Sequence, residues 1–156
     1  MNMRDFLCPD ALSADLKATT KTEAIEELVA LMINAGVIEK KAKAKVVDIL
    51  LAREALGSTA IGQGIAIPHG KSDNVGKLTA GLGISKKGIN FDALDGEPAY
   101  IFFLLLAPVD SAGPHLKALA RVSRLLKDKY FREILKAVKD KKDILELITQ
   151  EDARVS

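Results

Sequence analysis

Tyr100-Ile101-Phe102-Phe103-Leu104-Leu105-Leu106-Ala107 is an unbroken apolar run, rich in Phe, Ile and Leu, and Pro108 ends it. A strand with one wet face alternates between apolar and polar residues. A run without alternation is the pattern of a central strand covered on both faces. Such a strand requires a layer of structure on each side of its sheet, and helices supply one. The same run cannot be a membrane span. From Ala99 to Val109 it has 11 residues, interrupted by Pro108, against the roughly 20 that a spanning helix needs.

The flanking segments supply the layers. Residues 12–17 alternate loosely, as an edge strand does. Thr20 with Glu23 reads as a capping box, and Ile25, Leu28, Val29 and Met32 follow at helical spacing until Ala35-Gly36. A second helix is expected from about Glu39 to Ala55, burying Val46, Val47, Leu50 and Leu51. Gly57 to Gly62 reads as a loop, Ile65 to Ile67 as a short strand, and Ala80 to Ser85 as a strand whose two glycines permit close approach of a neighbour. Gly88 to Pro98 is turn-rich. After the central strand, helices are expected from near Pro114 to about Leu126, over about 130–138, and from an Asp140 N-cap with Ile144, Leu147 and Ile148 inward. The order β-α-α-β-β-β-α-α-α predicts an α/β fold, a three-layer α/β/α sandwich with a mixed central β-sheet. With no repeat or linker in 156 residues, one domain over residues 5–150 is expected.

Charge narrows the partners. With 23 Lys+Arg against 21 Asp+Glu and no Trp, nothing suggests nucleic acid or an anionic membrane surface. A lone Cys8 and an N-terminus without a signal-peptide core fit the cytoplasm.

The chemistry concentrates in Gly62-Gln63-Gly64-Ile65-Ala66-Ile67-Pro68-His69-Gly70-Lys71. Pro68 fixes its own φ and pushes Ile67 into an extended conformation, so His69 is delivered rigidly. The glycines leave N–H groups uncovered by side chains. An imidazole among bare amides suits a negatively charged group, although an ordinary turn histidine carries the same local signature. His115 opens the helix after the central strand and leads a row with Leu119, Val122 and Leu126, which points it toward the sheet. If both strands end on one edge, His69 and His115 reach one crevice beside a helix N-terminus. Arg53, one loop before the glycine stretch, offers a planar fork suited to phosphate. No Cys-x-x-Cys, His-x-x-x-His, nucleophile elbow or P-loop is present, so neither a metal nor a nucleotide cofactor is expected. Any phosphoryl group should arrive on another protein.

Arg53-Glu54 through Gly57-Ser58-Thr59, continued by Ile61-Gly62-x-Gly64-Ile65-Ala66-Ile67-Pro68-His69-Gly70, resembles a known block. It is similar to the active-site block of enzyme IIA (EIIA) domains, fructose/mannitol/nitrogen-regulatory class (type 2), of the bacterial phosphoenolpyruvate-dependent phosphotransferase system (PTS). Phe91-Asp92-Ala93-x-Asp95-Gly96-x-Pro98 and His115-Leu116-x-x-Leu119-Ala120-x-x-Ser123-x-Leu125 agree, so the likeness spans about residues 5–150. The resemblance implies a phosphoryl carrier with His69 phosphorylated, His115 helping to hold the phosphoryl group and Arg53 beside it. It implies Ser58, Thr59, Gly62 and Gly64 as loop residues shaping the pocket. The implied donor is a histidine phosphocarrier of the HPr or NPr type, and the implied recipient an EIIB or a regulatory target. A neutral imidazole, with a pKa of about 6.5, is a nucleophile at cytoplasmic pH, provided its other nitrogen gives its hydrogen to a fixed acceptor. Because partners dock in turn, a shallow, apolar-rimmed depression is expected.

The length and the Arg-Glu-x-x-Gly-Ser-Thr approach resemble the stand-alone nitrogen-regulatory type, whose output is binding controlled by phosphorylation. The alternative is a fructose/mannitol-type domain that donates phosphate to a sugar-permease EIIB. A relative that only binds would need an inert His69.

Overall fold

The structure, a computed structural model, describes residues 1–155. In chain order it contains β1 (Leu7–Ser13), α1 (Lys21–Asn34), α2 (Lys43–Ala55), β2 (Ala60–Gly62), β3 (Ile65–Ala66) and β4 (His69–Lys71). These are followed by β5 (Thr79–Ile89), β6 (Ala99–Ala107), α3 (Ala112–Leu125), α4 (Lys129–Lys136) and α5 (Lys141–Arg154). Short 3-10 turns cover Met3–Asp5 and Lys40–Ala42, so the second helix opens as 3-10 before it becomes α2.

The apolar run is β6, and it lies inside the sheet. The strand order is β1-β5-β6-β3-β2, with β4 also paired to β6. β6 is antiparallel to β5 and parallel to β3 and β4, while β1 is parallel to β5, which makes the sheet mixed. Alternation along β6 divides its side chains between two cores. Ile101, Phe103 and Leu105 join the cluster that includes Val122 of α3, Leu135 of α4 and Ile148 of α5. Phe102, Leu104 and Leu106 join the cluster that includes Leu28 of α1 and Leu50 of α2. The run lacks polar positions because both faces are buried under helices, and the three-layer architecture follows.

Local signals account for most boundaries. Thr20 caps α1 by accepting from the Glu23 N–H at 3.2 Å, but the Glu23 carboxylate reaches back to the Thr19 N–H, one residue short of a reciprocal box. Asp140 caps α5 at the Asp143 N–H. α3 starts at Ala112 with Pro114 inside its first turn, where the missing donor is not needed. Gly81 and Gly83 do allow close approach: a Cβ would lie 2.9 Å from the Ala11 carbonyl oxygen at the first and 2.7 Å from Leu16 Cδ2 at the second.

Three expectations change. The edge strand lies at Leu7–Ser13, earlier than 12–17, because Pro9 and a register shift between Leu7 and Leu12 blur its alternation. β5 runs on to Ile89, into the stretch that reads as turn. Two three-residue strands, β2 and β4, lie in segments too short to show a period and form through pairing with β3 and β6. Among the described residues no helix is long and apolar enough to cross a membrane.

Candidate functional site

β3 ends at Ala66 and β4 begins at His69, both along β6, with Ala66 opposite Phe102 and His69 opposite Leu105. Ile67 between them leaves the ladder, and the Pro68 carbonyl rejoins it. The Ile67 N–H donates to the Thr59 carbonyl at 3.1 Å, and the Pro68 carbonyl accepts from Leu105 N at 2.9 Å. The freed Ile67 carbonyl lies 2.7 Å from His69 Nδ1. A carbonyl only accepts, so Nδ1 carries the hydrogen and Nε2 keeps its lone pair.

His115 stands in the first turn of α3 and is 7% exposed, consistent with a row that faces the sheet. Its ring meets that of His69 edge-on, with centroids 5.5 Å apart and planes at 73°. Its Nε2 is buried and, among the described residues, has no hydrogen-bond partner. An unpaired polar atom at that depth is costly unless a ligand completes it.

Burial lowers the pKa of both histidines. At His69 the Arg53 guanidinium adds to the effect, against the Ile67 carbonyl and the Glu54 carboxylate. At His115, repulsion from His69 and Lys71 adds to burial. Both rings are therefore neutral at neutral pH. The unfolded chain takes up protons at these positions first, at a pKa of about 6.5, so their contribution is complete above that pH and falls away as pH drops below it. Ring titration by NMR is expected to give midpoints below about 6.5 for both histidines. Denaturation measured against pH should show stability lost on acidification, with a shallower slope when both are replaced by Gln.

Arg53 lies in the last turn of α2, half-buried, and donates from Nη1 to the Gly57 carbonyl at 2.8 Å. That bond uses one of its five donors, and its charge is felt at His69. Ser58 Oγ donates to the Phe91 carbonyl at 2.5 Å and accepts from Ala60 N at 3.0 Å. Thr59 donates from its N–H and its hydroxyl to the Glu54 carboxylate. Gly62 and Gly64 have φ of 95° and 79°, and with Gln63 at 59° they turn the β2–β3 hairpin, which Asp95 holds by accepting from Gln63 N at 3.0 Å. The Gly64 carbonyl accepts from Tyr100 N and Ile101 N, four ladder positions from Leu105 and so ~13 Å along β6 from the imidazole. The structure thus brings His69, His115 and Arg53 into one neighbourhood with Thr59 behind them, and puts Gly62 and Gly64 at the far end of the strand.

Three groups escape the sequence reading: the Ile67 carbonyl, Lys71 and Glu54. Glu54 carried a usable signal, since it follows Val47 and Leu50 on the buried stripe of α2.

A family model described as "Phosphoenolpyruvate-dependent sugar phosphotransferase system, EIIA 2" matches residues 5–151. The chain is 38% identical over 148 residues to the nitrogen regulatory protein of Bradyrhizobium diazoefficiens, covering 95% of each. It is 36% identical over 141 residues to the fructose-specific EIIA component of a PTS in Haloferax volcanii, covering 90% of each. Its structure resembles the crystal structure of nitrogen regulatory protein IIA-Ntr from Neisseria meningitidis, with a TM-score of 0.81 and 31% identity over 92% of this chain and 97% of that one.

Proposed function

The chain belongs to the EIIA type 2 family of the phosphoenolpyruvate-dependent phosphotransferase system, and from that membership we propose that His69 Nε2 is the atom that carries the phosphoryl group. The observation that carries this reading is the Nδ1–H bond to the Ile67 carbonyl beside a second imidazole with an unpartnered Nε2. The lone pair of Nε2 attacks phosphorus as the bond to the donor's phosphohistidine nitrogen breaks, and the donor leaves with its own electron pair. No proton need leave His69, because Nδ1 keeps its hydrogen. The transition state is loose, so the protein's work is alignment and charge stabilisation. His115, protonated at Nε2, donates to a phosphoryl oxygen, and Arg53 offsets the added charge of roughly two units. Ser58 and Thr59 set the loop behind the ring, while Gly62 and Gly64 act at a distance, through the hairpin.

The partners in this reading are an HPr- or NPr-type phosphocarrier as donor and an EIIB or a regulatory target downstream. Contact is made in the cytoplasm by one domain over residues 5–150. Val109 and Leu116, exposed on either side of the start of α3, supply apolar rim for a docking face. The identity to a nitrogen regulatory protein supports a regulatory output. The fructose-specific relative supports the second reading, phosphate donation to a sugar-permease EIIB. Incubation with phosphoenolpyruvate and the general phosphotransferase proteins is expected to give one acid-labile, base-stable phosphate per chain. An unlabelled wild-type chain, with the carrier proteins themselves charged, would overturn the reading.

A further inference from the structure

Behind the site lies a buried acid with no part in the transfer chemistry. Glu54, in the last turn of α2, is 7% exposed. A carboxylate at that depth is costly unless it is paired and hydrogen-bonded, and Glu54 is both. Lys21 Nζ lies 3.0 Å from Oε1, the Thr59 N–H donates to Oε1 at 3.2 Å, and the Thr59 hydroxyl donates to Oε2. Lys21 is itself held, 5.0 Å above the Phe91 ring and 3.3 Å from Asp92.

The links continue inward. The carbonyl of Thr59 holds the Ile67 N–H, and the carbonyl of Ile67 holds His69 Nδ1. Ile67 lies between two ladder segments, and Pro68 has no N–H, so Thr59 is the amide anchor of the peptide that carries the acceptor. We propose that Glu54, paired with Lys21, is a positioning residue that fixes Thr59, through it the Ile67 carbonyl, and so the tautomer that makes His69 Nε2 the nucleophile. For its catalytic consequence the inference rests on the phosphocarrier reading; its geometry stands without it. The pairing with Lys21 has a second use. The Glu54 charge reaches His69, where it opposes that of Arg53, and Lys21 keeps a bare carboxylate from facing an incoming phosphoryl group.

The test is the 15N pattern of the His69 ring in the full chain, assigned against His69→Gln and read beside the initial rate of phosphorylation. The wild-type ring is expected to be one tautomer, protonated at Nδ1. Glu54→Ala should give a mixture of tautomers and slow phosphorylation by about tenfold or more. Glu54→Gln, which keeps an acceptor for Thr59, should restore most of the rate. If Glu54→Ala does not fold, Thr59→Val takes its place, since it removes the hydroxyl link at nearly constant volume. A role confined to stability would lower the melting temperature and leave both ring pattern and rate of the folded chain unchanged. That result in Glu54→Ala, or in Thr59→Val where Glu54→Ala is unfolded, would overturn the proposal. A wild-type chain that takes no phosphoryl group, but whose ring pattern still responds to Glu54→Ala, would remove the carrier reading and uphold the positioning link.

Discussion

His69→Ala is expected to take up no phosphoryl group from phosphoenolpyruvate and the general phosphotransferase proteins, under conditions that label the wild-type chain fully. The substitution removes the nucleophile and little else. His69 is half-buried at the start of β4, and its place opposite Leu105 is held by backbone pairing that alanine preserves. Melting should therefore move by no more than a partly exposed ring's contacts allow, about 1 kcal/mol. His115→Ala supplies the contrast. It removes a donor to the phosphoryl oxygens and keeps the attacking nitrogen, so labelling should go to completion about 10²- to 10³-fold more slowly, the usual effect of losing one oriented donor. Rapid-quench labelling of both variants distinguishes the two roles. Full labelling of His69→Ala together with none of folded His115→Ala would exchange acceptor and stabiliser.

How much of this was legible in the sequence depends on how far each signal reaches along the chain. β6 was readable because burial on both faces leaves eight successive residues, Tyr100 to Ala107, without a charge. α5 was readable because Asp140 and Asp143 mark its start three residues apart. β2 and β4 were not, because a three-residue strand has no period and exists only through its partner. The glycines of the site stretch illustrate a deeper ambiguity. Bare amides around an anion and a left-handed hairpin turn both call for glycine, and positive φ at Gly62, Gln63 and Gly64 shows that turn geometry employs this pair. Glu54 escaped although it continues the buried stripe of α2, because a glutamate at a helix end reads as solvated. The cation that pairs with it there, Lys21, approaches from α1, across a distance in sequence that no local pattern spans. The meeting of His69 with His115 was readable only as a condition, that the short strand before His69 and the central strand end on one edge; the parallel pairing of β3 with β6 fulfils it and sets His69 opposite Leu105.

Phe102→Ala should cost about 3–5 kcal/mol of folding stability, out of the roughly 5–15 kcal/mol that a domain of this kind possesses. Phe102 has no exposed surface and packs edge-on against Phe91, with centroids 5.4 Å apart and planes at 66°. Its neighbours in the sheet are Ala66 and Gly83, neither of which has a side chain able to fill the space left behind. The cavity should therefore stay open, which puts the cost toward the upper end of the range. Phe91 transmits the loss toward the site, since its carbonyl accepts from Ser58 and its ring underlies Lys21. None of the reacting groups touches Phe102, so in native buffer the folded fraction should still label at His69. Leu116→Ala, at an exposed position of 68%, is the control and should change stability by no more than about 0.5 kcal/mol. Chemical denaturation of the three chains decides the matter. A loss below about 1 kcal/mol at Phe102 would mean that the layer under α1 and α2 does not brace β6, and the helix end and loop that carry Glu54 and Thr59 would then lose their rigid floor.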